Sequence, residues 1–200
     1  VYNGIKLKDI KYEYSFNKIS KEFFVSKNHA ILIYVGSGFK RKGVEEFLNI
    51  IAKLNDTNIK AFVIGKEKNI DYYLKLSKSL KIGDNIIFTG PRDDVDDFYT
   101  IGDIFILPTN YEPFSNVVLE AMNFGNVVFT TKQNGAHEIL DDYFVMKDPS
   151  DLSILSKITL LLKDKKALNG IKSKNIEKSK QFSIENNLNR TLDLIETARK

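Results

Sequence analysis

The 200-residue chain contains no cysteine and no tryptophan, two histidines, four prolines, and only four arginines among its 30 basic residues. Without cysteine there is no disulfide framework and no thiolate metal site, which fits a reducing compartment. No apolar run approaches the ~18 residues that a membrane-spanning helix needs, so we expect a cytoplasmic protein. The first residues, Val1-Tyr2-Asn3-Gly4, lack both an initiator methionine and a charged stretch leading into an apolar signal region. The chain therefore reads as a piece of a longer one. With 26 acidic residues the net charge is +4 and the signs are interspersed, so nucleic acid is not expected as a partner. Small anionic ligands stay open. Arginine is so scarce beside lysine that any loop arginine stands out, because a guanidinium fork suits phosphate better than a lysine point charge does.

What is present is a beat of short apolar runs and helical patterns. At 42% hydrophobic content, 200 residues support one sizeable core, and one domain over residues 1–200 is expected. Ala30 to Gly36 reads as a strand, followed by Val44, Phe47, Leu48, Ile51 and Leu54 at helical spacing. Further strands are expected at 61–65, 85–89, 103–107 and 127–131, with a short sixth at 143–146. Helices are expected between them, one of them from about Ser115 to a glycine stop at Gly125. From Pro149 onward the pattern is helical, with a last helix starting at Phe182-Ser183. This alternation predicts an α/β, Rossmann-like parallel sheet of about six strands, covered on both faces and finished by C-terminal helices.

Open parallel sheets bind ligands at the carboxyl ends of their strands. The first strand-end loop, Gly36-Ser37-Gly38-Phe39-Lys40-Arg41-Lys42-Gly43, sets three cations among glycines just ahead of a helix N-terminus. That arrangement favours an anion; a solvated basic turn is the plain alternative. It is neither a Walker loop nor a dinucleotide fingerprint, since Gly43 is followed by Val44 and no glycine stands at 41. The stretch Glu112-Pro113-Phe114-Ser115-Asn116-Val117-Val118-Leu119-Glu120 carries two glutamates with seven residues between them. Its helix is apolar nearly all round and so buried, and a carboxylate there costs several kcal/mol unless satisfied. Glu120 thus needs a partner: ligand hydroxyls, with Asn116 on the same face, or else a lysine.

These motifs resemble family four of the retaining glycosyltransferases with the two-domain GT-B architecture, and among them the lipopolysaccharide-core glucosyltransferases. The resemblance covers essentially the whole chain. Residues 1–10 resemble the end of an interdomain linker, Arg41-Lys42-Gly43 the diphosphate loop, Glu112 to Glu120 the paired-glutamate motif, and Asn134 to Glu138 a later Gly-Gly-x-x-Glu segment. The last helix, 183–200, resembles one that packs back toward an N-terminal acceptor-binding domain.

The resemblance implies a nucleotide-sugar donor, UDP-glucose above all, with no required metal and no bound cofactor. It implies that Gly36, Ser37, Arg41 and Lys42 face the donor diphosphate, that Arg92 lies beside the base, and that Phe114 and the main chain of Ser115, Asn116 and Val117 hold a phosphate. Glu120 would accept from the ribose hydroxyls, and Glu112, the catalytic candidate, would reach the transferred sugar. The chain departs from the family at Ser37, where relatives carry arginine, and at Ser115 and Asn134, where they carry glycine.

Other features read more blandly. His29 is expected at the surface, and His137 lies in a ligand-facing loop. Asp93, Asp94, Asp96 and Asp97 fit helix caps and solvated positions better than a metal site. The run Lys172, Lys174, Lys178 and Lys180 fits a solvated face, while leaving open peripheral association of the whole enzyme with the inner face of the cell membrane. Two other classes compete: an epimerase or pyridoxal-phosphate-dependent phosphorylase of the same architecture, and a non-catalytic nucleotide-binding module.

Overall fold

A computed structural model describes residues 2–198. Six parallel strands alternate with helices. Strand β1 (Ala30–Val35) and strand β4 (Ile104–Leu107) form the centre, β2 (Ile59–Ile64) and β3 (Ile86–Gly90) extend one side, and β5 (Val127–Thr131) and β6 (Val145–Met146) the other. The order is β3-β2-β1-β4-β5-β6. This is the expected doubly wound sheet, with β1 and β4 paired through Leu32↔Ile104 and Ile33↔Phe105. β1, β4 and β5 are buried along their whole length, as sheets covered on both faces require.

Helix α1 (Tyr12–Phe23) precedes β1, and a four-residue turn α2 (Phe39–Lys42) precedes α3 (Val44–Leu54). The others are α4 (Ile70–Ser79), α5 (Val95–Ile101) and α6 (Asn116–Asn123), then α7 (Ile154–Lys163), α8 (Lys165–Ser179) and α9 (Ile184–Ala198). The apolar face of α3, from Val44 through Ile51, is buried against the sheet. Helix α6 ends as the Gly125 stop predicts, its last carbonyls taken by Gly125 N on Met122 O at 2.9 Å and Asn126 N on Ala121 O at 2.9 Å.

Two expectations need correction. The loop 36–43 is not free of secondary structure, because its three cations sit in or at the end of α2. Residues 11–29, to which the pattern assigns no element, contain α1; only Ser15, Phe16 and Ile19 of that helix are buried, so its apolar signal is faint. Residues 2–8 lie against the domain: Ile5 pairs in parallel with Ser183, next to the start of α9, and the Lys8 carbonyl accepts from Asn123 at 2.8 Å. No residue of α9 is buried, and Leu188, Leu192 and Leu194 are exposed on it.

Candidate functional site

The crevice lies where the strand order reverses, at the carboxyl ends of β1 and β4, which is where such sheets bind ligands. Two loops meet there. At Gly43 the chain turns with φ 78°, and a Cβ would stand 1.8 Å from the Pro108 carbonyl oxygen, so only glycine lets the two loops approach. The Arg41 carbonyl accepts from the Asn110 N–H at 2.9 Å and the Thr109 hydroxyl at 3.1 Å, tying α2 to the loop after β4. From the other side Glu67 caps α2. Its carboxylate accepts from the Phe39 and Asn69 N–H groups, each at 3.0 Å, and these bonds hold its pKa below the ordinary glutamate value.

This framework delivers one of the two glutamates to the cations. Arg41 Nη1 lies 2.9 Å, and Lys42 Nζ 3.3 Å, from the same oxygen of Glu112. Arg41 also donates to the Tyr111 carbonyl at 2.7 Å. Lys42 and Glu112 are mostly buried, at 14% and 15% side-chain exposure, whereas Arg41 at 48% faces the opening. The Glu112 main chain is fixed on both sides: its N–H donates to the Gln133 carbonyl at 3.0 Å and its carbonyl accepts from Gly135 at 2.9 Å. A Cβ at Gly135 would sit 1.9 Å from the Pro113 carbonyl oxygen, so this second loop also closes only on glycine.

Helix α6 starts beside this pair. Its N-cap, Ser115, is buried and extended at φ −97°, ψ 111°, yet its hydroxyl makes no capping bond. One turn into the helix, Glu120 is half-buried and receives the Tyr99 hydroxyl at 3.3 Å. Burial raises its pKa, and the Tyr99 bond and the positive charges of Lys8 and Lys42 only partly oppose this. The alternative lysine partner is not found. Among the described residues no ammonium lies within ion-pair distance of Glu120, and Lys8 pairs with Asp96 instead. Glu120, Asn116 and Asn123 line a cavity of about 360 Å³ together with Lys8, Asp93 and Asp96.

The remaining predicted residues fall outside this pair of clusters or serve it structurally. The Arg92 guanidinium is held bidentately by Glu22 at 2.6 and 2.9 Å and by Asp94 at 2.8 and 2.9 Å, and it lies over the Phe23 and Phe98 rings. It therefore joins α1 to the start of α5. The Ser37 hydroxyl accepts from the Lys66 N–H at 3.1 Å, and Gly36 makes room for the Lys42 side chain. Phe114 is half-buried and stacks on Tyr2 with centroids 5.5 Å apart. Asn134 is fully buried, accepts from Ala136 at 3.1 Å and donates to Thr130 at 3.0 Å, so it caps the 3-10 turn at Gly135–Ile139. His137 rests on the Asn134 carbonyl at 2.9 Å, and the His29 ring accepts from Ser26 at 3.0 Å.

The aspartate run serves as ion-pair partners and not as a caged cation site. Lys18 reaches Asp94 at 2.6 Å and Asp97 at 2.7 Å, and the Ser15 hydroxyl donates to Asp97 at 2.7 Å. Among the described residues no cluster of three or more metal-ligating side chains forms, and no helix is long and apolar enough to cross a membrane. The sequence assigns no site role to Glu67, Tyr99, Tyr2, Asn3 or Lys8. The last three fall in the stretch that resembles an interdomain linker, and each of the five reaches the site across 21 residues or more of chain.

The sequence profile of the glycosyl transferases group 1 matches residues 15–179. The chain belongs to that family. It is 33% identical over 131 residues to the lipopolysaccharide glucosyltransferase WaaG of Escherichia coli K12, covering 61% of this chain and 35% of that one. It is 27% identical over 168 residues to the N-acetyl-alpha-D-glucosaminyl L-malate synthase of Bacillus anthracis, covering 82% and 44%. The chain spans less than half the length of these curated relatives. Among solved structures it superposes on Anabaena HepE in complex with UDP with a TM-score of 0.88, at 18% identity, over 98% of this chain and 57% of that one. HepE thus shares with this chain the fold of the parallel sheet and its covering helices.

Proposed function

We propose that this chain is the donor-binding half of a retaining hexosyltransferase that takes its sugar from a uridine diphosphate donor, UDP-glucose by preference, and passes it to a glycan or lipopolysaccharide-core acceptor. The acceptor would be held by an N-terminal domain, toward which the exposed apolar residues of α9 would turn. One observation carries the reading: Arg41 and Lys42 meet Glu112 across the switch point, directly before the uncapped first turn of α6. The relation to WaaG and the fold shared with HepE, solved with UDP, support it.

The chemistry follows from charge. When a sugar leaves a nucleoside diphosphate, negative charge grows on the outer phosphate, and fixed cations aimed there lower the barrier. Arg41, Lys42 and the N–H groups of Asn116 and Val117 would supply that stabilisation, so no metal is needed for it. Entry of the diphosphate would release Glu112 from both cations. The freed carboxylate would then face the hydroxyls of the transferred sugar. Glu120, in its cavity, would accept from the ribose hydroxyls.

Calorimetry with uridine, UMP and UDP tests the reading. UDP is expected to bind tightest, and Lys42→Ala to weaken UDP by about 1.5–3 kcal/mol, the range for a hydrogen bond to a charged group, while sparing uridine. Equal affinity of the wild-type chain for uridine and UDP, or a change below twofold on Lys42→Ala, would remove the phosphate assignment.

A further inference from the structure

We propose that Asn3, outside every site motif, is a positioning residue that sets which end of the Asn116 side-chain amide faces the donor. The inference rests on the donor-site reading above and deepens it. Asn3 Nδ2 donates to Asn116 Oδ1 at 2.9 Å, across 113 residues of chain. Asn116 is the first residue of α6, and its side chain borders the cavity that also holds Glu120.

An amide has one accepting and one donating end. With its oxygen taken by Asn3, Asn116 presents NH2 to the cavity. Glu120, one turn later on the same face of the helix, favours the same polarity, because its carboxylate attracts the NH2 and repels the oxygen. A nucleoside diphosphate brings mainly oxygen acceptors to the first turn of α6. Only the NH2 end of Asn116 can donate to those, and the N-cap Ser115 adds no capping bond of its own.

The segment bearing Asn3 is fastened so that this bond persists. Tyr2 stacks on Phe114, and its hydroxyl donates to Glu138 at 2.8 Å. Three residues after Tyr2, the Ile5 N–H donates to the Phe182 carbonyl at 2.8 Å, and the Ile5 carbonyl accepts from Ile184 at 2.9 Å. Gly4 lies between these anchors, so close to Ser183 and Ile184 that a Cβ would fall 2.9 Å from their backbone. Asn3 is thus held over the start of α6 from both sides.

The test is a double-mutant cycle in UDP affinity, read by calorimetry on the 200-residue chain, with melting temperature recorded for each variant. Asn3→Ala deletes the bond and frees the amide to turn, so UDP is expected to bind about three- to tenfold more weakly. Asn3→Asp can only accept, and so pulls the NH2 of Asn116 away from the cavity; a larger loss than for Asn3→Ala is expected. In an Asn116→Ala background there is no amide left to orient. There Asn3→Ala is expected to have almost no effect, and Asn3→Asp to retain only the repulsion between its charge and the diphosphate. Equal losses in both backgrounds would overturn the proposal, as would a loss matched by a fall in melting temperature and shared by uridine. Absence of UDP binding to the wild-type chain would instead remove the donor-site reading itself.

Discussion

Arg41 and Glu112 face each other across the sheet's switch point, with Nη1 and Oε2 2.9 Å apart. The pair joins the loop after β1 to the loop after β4, and Lys42 reaches the same oxygen. A diphosphate entering this crevice must compete with Glu112 for both cations. Glu112→Gln removes the competitor's charge but keeps its shape. UDP affinity is expected to rise by about 1.5- to 5-fold, the modest gain that a partly exposed ion pair allows. In a two-domain enzyme of the kind proposed above, the same change should lower kcat, since an interaction that forms in the transition state shows in that constant. Isothermal calorimetry followed by steady-state kinetics checks both halves, and abolished UDP binding in Glu112→Gln would contradict them.

The approach of these two loops depends on Gly43. A methyl group there would overlap the Pro108 carbonyl while φ stays at 78°, and neither partner is a flexible side-chain end. Gly43→Ala is expected to cost at least about 2 kcal/mol, from left-handed strain plus displaced backbone. Gly170 inside α8 offers the contrast, because open space surrounds its Cβ position. Gly170→Ala should stabilise by roughly 0.5–1 kcal/mol. Urea unfolding of the two variants would read opposite signs; a tolerated Gly43→Ala would mean the loops have room that their geometry denies.

Arg92 is expected to act on stability more than on donor binding, because Glu22 and Asp94 take its donors. Its partner Asp94 has a pKa held far below the ordinary aspartate range, first by Arg92 and then by Lys18. A depressed carboxylate contributes stability that is present above its unfolded pKa of ~3.9 and is lost as pH falls toward the folded value. Arg92→Ala should therefore destabilise by about 1–3 kcal/mol at neutral pH, discounted from a fully buried pair because water reaches both groups. That deficit should shrink as the pH is lowered below ~4. UDP affinity should stay within about twofold. Strong loss of UDP binding with unchanged melting would instead assign the guanidinium to the donor.

The strands were legible because apolar runs such as Ala30 to Val35 and Val127 to Thr131 are buried on both faces, and burial on both faces leaves a continuous signature in sequence. The paired glutamates were legible because a carboxylate inside an apolar helix demands explanation from sequence alone. What escaped lies in contacts that join distant chain segments. Glu67 caps α2 from another loop, and Tyr99 reaches Glu120 from another helix. The partners of Arg92 escaped for the same reason. A loop arginine beside glycine and proline suggests a ligand, and nothing local reveals that Glu22, 70 residues away, has taken its donors.

Glu120 carries the sharpest test, because stability and binding should move in opposite directions. Its carboxylate is half-buried against Tyr99 with no cation in contact, and burial raises its pKa. For such a group the folded state favours the protonated form, so stability is full below the unfolded glutamate pKa of ~4.3 and falls as pH rises through the raised folded value. At neutral pH, above the unfolded value, the ligand-free chain bears the cost of a poorly solvated carboxyl group. Glu120→Gln keeps the shape without the charge, and should melt at a higher temperature than the parent at pH 7. The advantage should vanish at pH ~3, below the unfolded glutamate pKa of ~4.3, where the carboxyl is protonated in both states. The glutamine can no longer offer a charged acceptor to a pair of hydroxyls, so uridine and UDP should both weaken, by about 1.5–3 kcal/mol. Melting curves at the two pH values, with calorimetry on both ligands, separate the outcomes. A variant that melts lower at pH 7 while binding UDP as well as the parent would mean that Glu120 is a structural anchor and not a ligand contact.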